Sequence, residues 1–219
     1  MSETNPHPKK RILLVDDHEM IRRGLRDFIE TEPDFEIVAE AATSAEALAQ
    51  CASTPLDIAL IDLSLGEDSG LELIKDIAAQ FPLIKTLVVS MQDERLYAER
   101  ALRAGASGFI SKDVNCNQLT EAIRSVLGGK IYASSSVTQR IIQSVRRPAL
   151  EKPIESLSDR ELAVFEKIGK GVGTSAIADA MSLSVKTIET YRARIKIKLG
   201  VKSSSELVQR AVQWVLERA

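Results

Sequence analysis

Five side chains in the first half of the sequence have the types and spacing to take up a phosphoryl group. Asp16 and Asp17 are adjacent, and Asp62, Ser90 and Lys112 follow singly, each at the end of a short apolar run. Three carboxylates gathered in one crevice repel one another, so they need a cation or a proton among them. A hard divalent ion with oxygen ligands meets that need, and Mg²⁺ typically takes one or two carboxylates, keeps several waters and accepts phosphate. Lys112 supplies a point positive charge and Ser90 a hydroxyl. A carboxylate nucleophile, a metal ion, an ammonium and a hydroxyl donor are the parts needed to form an aspartyl phosphate.

The convergence of these residues requires a particular scaffold. Apolar runs at residues 12–16, 37–39, 58–62, 86–90 and 108–111 read as short buried strands. Between them, residues 18–30, 44–51, 71–79, 94–104 and 115–127 read as amphipathic helices, and Thr43 with Glu46 has capping-box spacing. Strands alternating with helices predict an α/β fold, a five-stranded doubly wound parallel sheet covered on both faces. In such sheets the site lies beyond the C-terminal strand ends, where the five residues fall.

The segments Val15-Asp16-Asp17-His18, Ile61-Asp62, Val89-Ser90 and Gly105-Ala106-Ser107-Gly108-Phe109-Ile110-Ser111-Lys112 resemble the receiver domain of two-component response regulators over about residues 9–128. The resemblance implies a flavodoxin-like fold with Asp62 as phosphoacceptor, loaded from a sensor histidine kinase. It implies that Asp17 binds Mg²⁺ directly and Asp16 mostly through water, with the backbone carbonyl of Ser64 as a further ligand. Ser90 and Lys112 would contact phosphoryl oxygens, and Phe109 matches the aromatic that changes rotamer on activation. An aromatic at a strand end is also ordinary core, so both readings of Phe109 stand. Ser64 and Gln92 face the site in receivers and would influence phosphoryl lifetime. His18 is read as a solvated first-turn residue without a role. One departure is plain: the loop after the phosphoacceptor usually carries Met-Pro, and this chain has Leu65-Gly66 followed by Glu67 and Asp68. Losing proline is expected to loosen the loop.

The chain has 219 residues, 44% hydrophobic and 27% charged, as expected for two soluble domains. No segment has the roughly 18 apolar residues of a membrane span. Cys51 and Cys116 are isolated, which predicts two unpaired thiols in a cytoplasmic protein. The net charge of −2 divides into +3 for residues 151–219 and −5 for the rest, and residues 186–202 hold six basic side chains against the single Glu189. A concentrated basic segment suits nucleic acid.

After Gly128-Gly129, one short helix over 134–145 and a proline-containing linker over 146–153 are expected, so the joining segment runs over 129–154. Four helices follow, near 159–170, 174–181, 185–199 and 204–217, with Ser158 and Glu161 as a capping box and Ser184 as an N-cap. The strings Leu157-Ser158-Asp159-Arg160-Glu161, Lys186-Thr187-Ile188-Glu189-Thr190-Tyr191 and Lys198-Leu199-Gly200-Val201 resemble a LuxR-type helix-turn-helix over about 155–219. Joined to a receiver, this resembles the NarL/FixJ family of response regulators: a receiver followed by a small all-α four-helix domain.

A helical wheel puts Ile188, Ile195 and Leu199 on one face of the third helix, with Tyr191 and Arg192 at its edges. Lys186, Glu189, Thr190, Ala193, Arg194 and Ile197 face the other way. In a helix-turn-helix that outward face enters the major groove. Glu189, Thr190 and Ala193 are the candidates for base contact, and Lys186, Thr187, Tyr191, Arg194 and Lys198 those for phosphate. The last helix carries Leu207, Val208, Ala211, Val212 and Val215 on one side with Trp214 near its edge. In the family this helix also pairs two DNA-binding domains, so a homodimer on an inverted repeat is expected.

Phosphate on Asp62 is thus expected to draw Ser90 inward, repack the surroundings of Phe109, and bias either domain separation or dimerisation. Two rival readings stand beside this one. An aspartate-nucleophile phosphatase generally needs a second Asp where Ser64 stands, so the chain is read as a regulator and not a turnover enzyme. A regulator whose receiver serves only as a dimerisation or protein-binding module, independent of phosphate, is kept alive by the unusual loop.

Overall fold

A computed structural model describes residues 8–66, 68–139 and 153–216. The chain divides into two compact units, Met1–Arg146 and Arg147–Ala219.

In the first unit, β1 (Lys10–Val15), β2 (Phe35–Ala41), β3 (Ile58–Ile61), β4 (Lys85–Ser90) and β5 (Gly108–Ser111) alternate with α1 (Glu19–Ile29), α2 (Ser44–Ser53), α3 (Gly70–Gln80), α4 (Glu94–Ala104) and α5 (Cys116–Leu127). The strands form one sheet in the order β2-β1-β3-β4-β5, every pair parallel. The central run Ile58-Ala59-Leu60-Ile61 is buried throughout, because helices cover both faces. On one face Ile12, Leu14, Ile58, Leu60, Leu87 and Val89 share a core with Ile29 of α1 and Leu119, Ile123 and Val126 of α5. Five strands, five helices and the parallel sheet match the sequence reading, with most ends within two residues of those expected. The Thr43 cap is present, but Glu46 returns its carboxylate to the Ala42 amide, so the box is not reciprocal. Asn115 and Gln118 form a reciprocal capping box at α5 that the sequence reading passed over.

Register explains why the strand ends meet. Val15 of β1 lies opposite Ile61 of β3, Ile61 opposite Val88 of β4, and Ser90 of β4 opposite Ser111 of β5. The next residues, Asp16, Asp62 and Lys112, therefore emerge at one rim.

Beyond α5 the chain remains attached to the first unit. Tyr132 bridges Gly108 in parallel, the Phe109 amide donates to Tyr132 O at 2.8 Å, and the Ser134 amide donates to a Glu94 carboxylate at 3.1 Å. Residues 135–139 are helical, and Val137 is buried. The rest of the helix expected over 134–145, and the linker to residue 152, lie outside the described residues.

The second unit begins with a 3₁₀ turn, Pro153–Ser156, and continues with α6 (Asp159–Gly169), α7 (Thr174–Ala180), α8 (Val185–Leu199) and α9 (Ser204–Leu216). Ser158 and Glu161 form the reciprocal capping box read from the sequence, and the Ser184 side chain caps α8. The core contains Leu162, Phe165, Ile168, Ile177, Ile188, Ile195, Leu199, Leu207 and Ala211. Trp214 departs from its expected edge position: it is buried, with its ring 5.5 Å from that of Phe165. Val208 instead lies at the surface of α9. Six apolar positions compete for one helix face here, and the largest ring fills the core because it buries the most area.

Candidate functional site

The rim of the first sheet brings all five candidate residues together. Lys112 Nζ donates to Asp16 Oδ2 at 2.5 Å and to Asp62 Oδ2 at 2.6 Å. The Lys112, Asp16 and Asp62 side chains are only 8%, 2% and 5% exposed. One ammonium thus compensates two buried carboxylates that would otherwise repel at close range. Ser90, wholly buried, donates its hydroxyl to Asp62 Oδ1 at 2.6 Å and accepts the Gln92 amide at 3.3 Å. Oδ1 of Asp62 also accepts the Ser64 amide at 3.3 Å. Asp62 is therefore held by donors on both oxygens at the end of β3.

Asp16 and Asp17 divide the remaining work. Oδ1 of Asp16 accepts the His18 amide at 2.8 Å, and the Asp16 carbonyl accepts from Arg22 at 2.6 Å. Oδ2 of Asp17 accepts the Gly66 amide at 2.8 Å. Oδ1 of Asp17 is enclosed without a hydrogen bond, although His18 Nδ1 lies 2.7 Å away. Asp16, Asp17, His18 and Asp62 each offer a ligand atom, and these atoms lie within 4.8 Å of one another. An enclosed, unsatisfied carboxylate oxygen beside two further carboxylates fits a hard divalent cation. His18, given no role from sequence, stands at this cluster; the only signal was its place next to the aspartate pair.

The loop after Asp62 is ordered differently from the sequence expectation. Ser64–Leu65 and Asp68–Ser69 pair as a small antiparallel ladder. Gly66 takes a φ of +55°, a left-handed conformation glycine adopts without strain. The Asp68 carboxylate accepts the Ser44 amide at 2.9 Å, and Gln92 Nε2 donates to Ser64 Oγ at 3.0 Å. Losing proline was expected to loosen this segment, but backbone pairing and these tethers replace its rigidity. Behind it, a Cβ on Gly70 would lie 2.2 Å from the Asp62 carbonyl oxygen, so only glycine fits under the Asp62 strand end. Glu67 lies outside the described residues. Phe109 is buried in β5, and Cys51 is a free buried thiol whose pKa burial pushes up. The side chain of Cys116 lies outside the described residues.

The second unit presents its own candidate surface on α8. Ile188, Ile195 and Leu199 are buried, Tyr191 and Arg192 are half-buried, and Lys186, Glu189, Thr190, Ala193, Arg194 and Ile197 are exposed. Four candidates are engaged within the unit, Glu189 through an ion pair with Arg192 at 3.7 Å. The Thr187 hydroxyl lies 2.8 Å from that of Ser184, and the Thr190 hydroxyl donates to the Lys186 carbonyl at 3.0 Å, leaving its methyl as the group free of that bond. Lys198 is the clearest difference: it was read as a phosphate contact, but its ammonium donates to Glu161 Oε2 at 2.6 Å and to Ser156 O at 3.2 Å. Glu161 is the N3 residue of the α6 cap and is buried, so it demands a cation, and Lys198 is the one that reaches it. Burial alone would raise the Glu161 pKa, but Lys198 and the Ser158 amide more than offset it, and the carboxyl is held below its ordinary range.

Comparison with known proteins gives the same division. Residues 12–124 match the family described as "Response regulator receiver domain", and residues 155–211 match "Bacterial regulatory proteins, luxR family". The chain is similar to the response regulator UvrY of Escherichia coli K12, with 34% identity over 203 residues covering 92% of this chain and 93% of that protein. It is also similar to the oxygen regulatory protein NreC of Staphylococcus aureus, with 35% identity over 210 residues covering 93% and 97%. Among solved structures, a LuxR-family two-component response regulator from Aurantimonas sp. SI85-9A1 matches at 34% identity and a TM-score of 0.58, over 64% of this chain and 99% of that one. RcsB of Salmonella enterica serovar Typhimurium, solved bound to the rprA promoter with a phosphomimetic, shares the fold with a TM-score of 0.58 at 22% identity, over 92% and 97% of the two chains.

Proposed function

Because this chain belongs to the two-component response regulators that join a receiver domain to a LuxR-type DNA-binding domain, we propose that Asp62 is its phosphoacceptor and that phosphorylation there controls sequence-specific DNA binding. The observation that carries this reading is the pairing of Asp62 with both Ser90 and Lys112 beside Asp16 and Asp17. We take the receiver as residues 9–128, the joining segment as 129–154 and the output domain as 155–219.

In this reading an Asp62 carboxylate oxygen attacks the phosphorus of a phosphohistidine on a sensor kinase. The O–P bond forms as the N–P bond breaks, and the electron pair leaves on the imidazole nitrogen. The Asp16, Asp17 and Asp62 carboxylates and the Ser64 carbonyl would hold Mg²⁺. When bound, that ion neutralises charge on the phosphoryl oxygens. Ser90 and Lys112 already reach Asp62, so each can transfer its donor to a phosphoryl oxygen with little movement. Handing the Ser90 bond from Asp62 to a phosphoryl oxygen repacks the neighbourhood of Phe109, the switch residue, and biases domain separation or dimerisation. The output is DNA binding, not turnover of an external substrate. A regulator that binds DNA through a LuxR-type domain acts in the cytoplasm; among the described residues no helix is long and apolar enough to cross a membrane.

On DNA, α8 enters the major groove with Glu189, Thr190 and Ala193 toward base edges. Lys186, Thr187, Tyr191 and Arg194 hold phosphates. Lys198 acts inside the domain. RcsB, solved as dimers bound to DNA, supports a homodimer, and the two-fold symmetry of such a pair matches an inverted-repeat site.

Two experiments test the proposal. Acetyl phosphate with Mg²⁺ adds one acid-stable, hydroxylamine-sensitive phosphoryl group to the wild type and none to Asp62→Asn; ordinary labelling of that variant defeats the assignment. A promoter assay in which Asp62→Ala behaves as wild type would favour the phosphate-independent module instead. In DNA binding, Arg194→Ala is expected to weaken binding on all sequences and lower the log–log salt slope by about 0.9, whereas Glu189→Ala shifts base preference at one position. An unchanged slope removes Arg194 from the phosphate contacts.

A further inference from the structure

We propose that the backbone amide of Gly66 is a positioning group for the divalent cation, pinning one oxygen of Asp17 so that the other is presented to the metal. The inference rests on the reading of the pocket as a Mg²⁺ site and adds to it a group that no side chain supplies.

Receivers usually have proline where Gly66 stands, and proline has no N–H to donate. Here the N–H is used: it reaches Asp17 Oδ2 at 2.8 Å. The opposite oxygen, Oδ1, is enclosed and accepts no hydrogen bond. A carboxylate whose one oxygen accepts from a fixed donor, and whose other is enclosed, makes no hydrogen bond and has only His18 Nδ1 beside it at 2.7 Å, is oriented for a ligand on that second oxygen. Hydrogen-bond partners of metal-ligating groups act in this way, setting the direction of the ligand atom.

The donor is itself held in place. The ladder pairs Ser64 with Ser69 and Leu65 with Asp68, placing Gly66 at the tip of a tight turn. Gly66 takes a left-handed φ of +55° in this turn, and its N–H meets Asp17 of the β1–α1 loop. Asp68 is tied to the Ser44 amide and Ser64 to Gln92, so the hairpin is anchored to the two flanking loops as well. Glycine meets two demands at once here: the left-handed turn and an amide proton. The substitution of glycine for the usual proline thus exchanges a covalently stiffened loop for one stiffened by pairing, and gains a donor to the metal ligand.

Titration calorimetry of MgCl₂ into the unphosphorylated full-length protein tests this, with thermal unfolding run on each variant. Gly66→Pro, which loses both the donor and the left-handed φ, is expected to bind Mg²⁺ about tenfold or more weakly, while Gly66→Ala, which keeps the donor at a strained φ, stays within about threefold of wild type. A Cβ at position 66 would lie 3.8 Å from Asp17 Oδ2, an ordinary contact, so the alanine variant has room despite its strained φ. Hydrogen exchange of the Gly66 amide in metal-free protein reads the bond without altering the turn: slow in wild type, and about tenfold faster in Asp17→Ala. Wild-type Mg²⁺ affinity in Gly66→Pro, equal weakening in the two Gly66 variants, or equal Gly66 exchange with and without the Asp17 carboxylate overturns the inference. Asp17→Ala also separates it from the reading beneath it. Unimpaired Mg²⁺ binding by Asp17→Ala defeats the metal site itself, whereas loss in Asp17→Ala with full binding in Gly66→Pro defeats only the role of the amide.

Discussion

Lys112→Met, studied in chelator, is expected to destabilise the first unit by about 3 kcal/mol, because it strands two buried carboxylates. Asp16 and Asp62 are almost completely enclosed, and Lys112 donates to both. Removing the ammonium leaves like charges facing each other where water cannot screen them, which costs more than the loss of one hydrogen bond. A deficit of this size corresponds to roughly 10 °C in the midpoint of the first transition. Mg²⁺ supplies positive charge to the same carboxylates, so it is expected to restore part of the difference through binding to the folded state. Phosphoryl uptake from acetyl phosphate in saturating Mg²⁺ is expected to fall about 10²-fold, the usual cost of one positioned donor to a developing oxyanion. Calorimetry of wild type and variant, each with EDTA and with Mg²⁺, measures the first effect. Identical midpoints in EDTA would mean that the pocket does not need Lys112 to hold its charges. A deficit that Mg²⁺ leaves untouched would remove the cation from that pocket.

The parts of this pocket differ in how legible they were. Asp16, Asp62, Ser90 and Lys112 could be found because the parallel fold places successive strand ends at one rim. Register then brings residues one beyond Val15, Ile61 and Ser111 together. That is a property of the pattern of apolar runs, and residue type did the rest. The Gly66 amide could not be found in this way. Its role depends on a backbone N–H, which every residue but proline has, and on the sign of a φ angle that glycine permits without requiring. What the sequence did mark was the absence of proline; the Ser64–Ser69 pairing that supports the loop without it could not be read there. His18 belongs with Gly66: its place beside the aspartate pair was visible, but not the direction of its ring.

On α8, helical periodicity alone separated the buried face from the exposed one, since Ile188, Ile195 and Leu199 repeat at intervals the helix must bring to one side. Periodicity says nothing about which long cation has a partner elsewhere in the domain. Lys198 looked like its neighbours Lys196 and Arg194 in a basic run. Only the fold, by bringing the start of α6 against the end of α8, gives it a buried carboxylate to satisfy. The capping box at Ser158 was legible, and it carried the missing signal: a buried N3 glutamate needs a positive partner.

That pair sets up a stability effect whose sign can be read against pH. The Glu161 carboxyl is held below its ordinary value of 4.5 despite burial, through Lys198 and the Ser158 amide. A carboxylate with a depressed pKa in the folded state contributes stability that is complete above its unfolded value and is lost as the pH falls through its folded value. The second unit of the wild type is therefore expected to weaken on acidification below about pH 4.5. In Lys198→Met the largest opposing influence is gone and only the Ser158 hydrogen bonds still offset burial, so the depression of the Glu161 pKa shrinks. Acidification from neutral pH therefore costs the variant less, relative to its own stability at pH 7, than it costs the wild type. At neutral pH the variant is expected to lose about 2 kcal/mol, less than a fully buried pair would, because the Lys198 side chain is 38% exposed. A helical unit of this size shifts its midpoint by roughly 4–8 °C per kcal/mol, so the loss is large against the marginal stability of a small domain. Unfolding followed through Trp214, buried against Phe165 in this unit, gives the midpoint between pH 7 and pH 4. A shallower loss of stability on acidification in the variant than in the wild type is the expected result. Parallel slopes would mean that Lys198 is a solvated side chain after all, and would return it to the DNA phosphates.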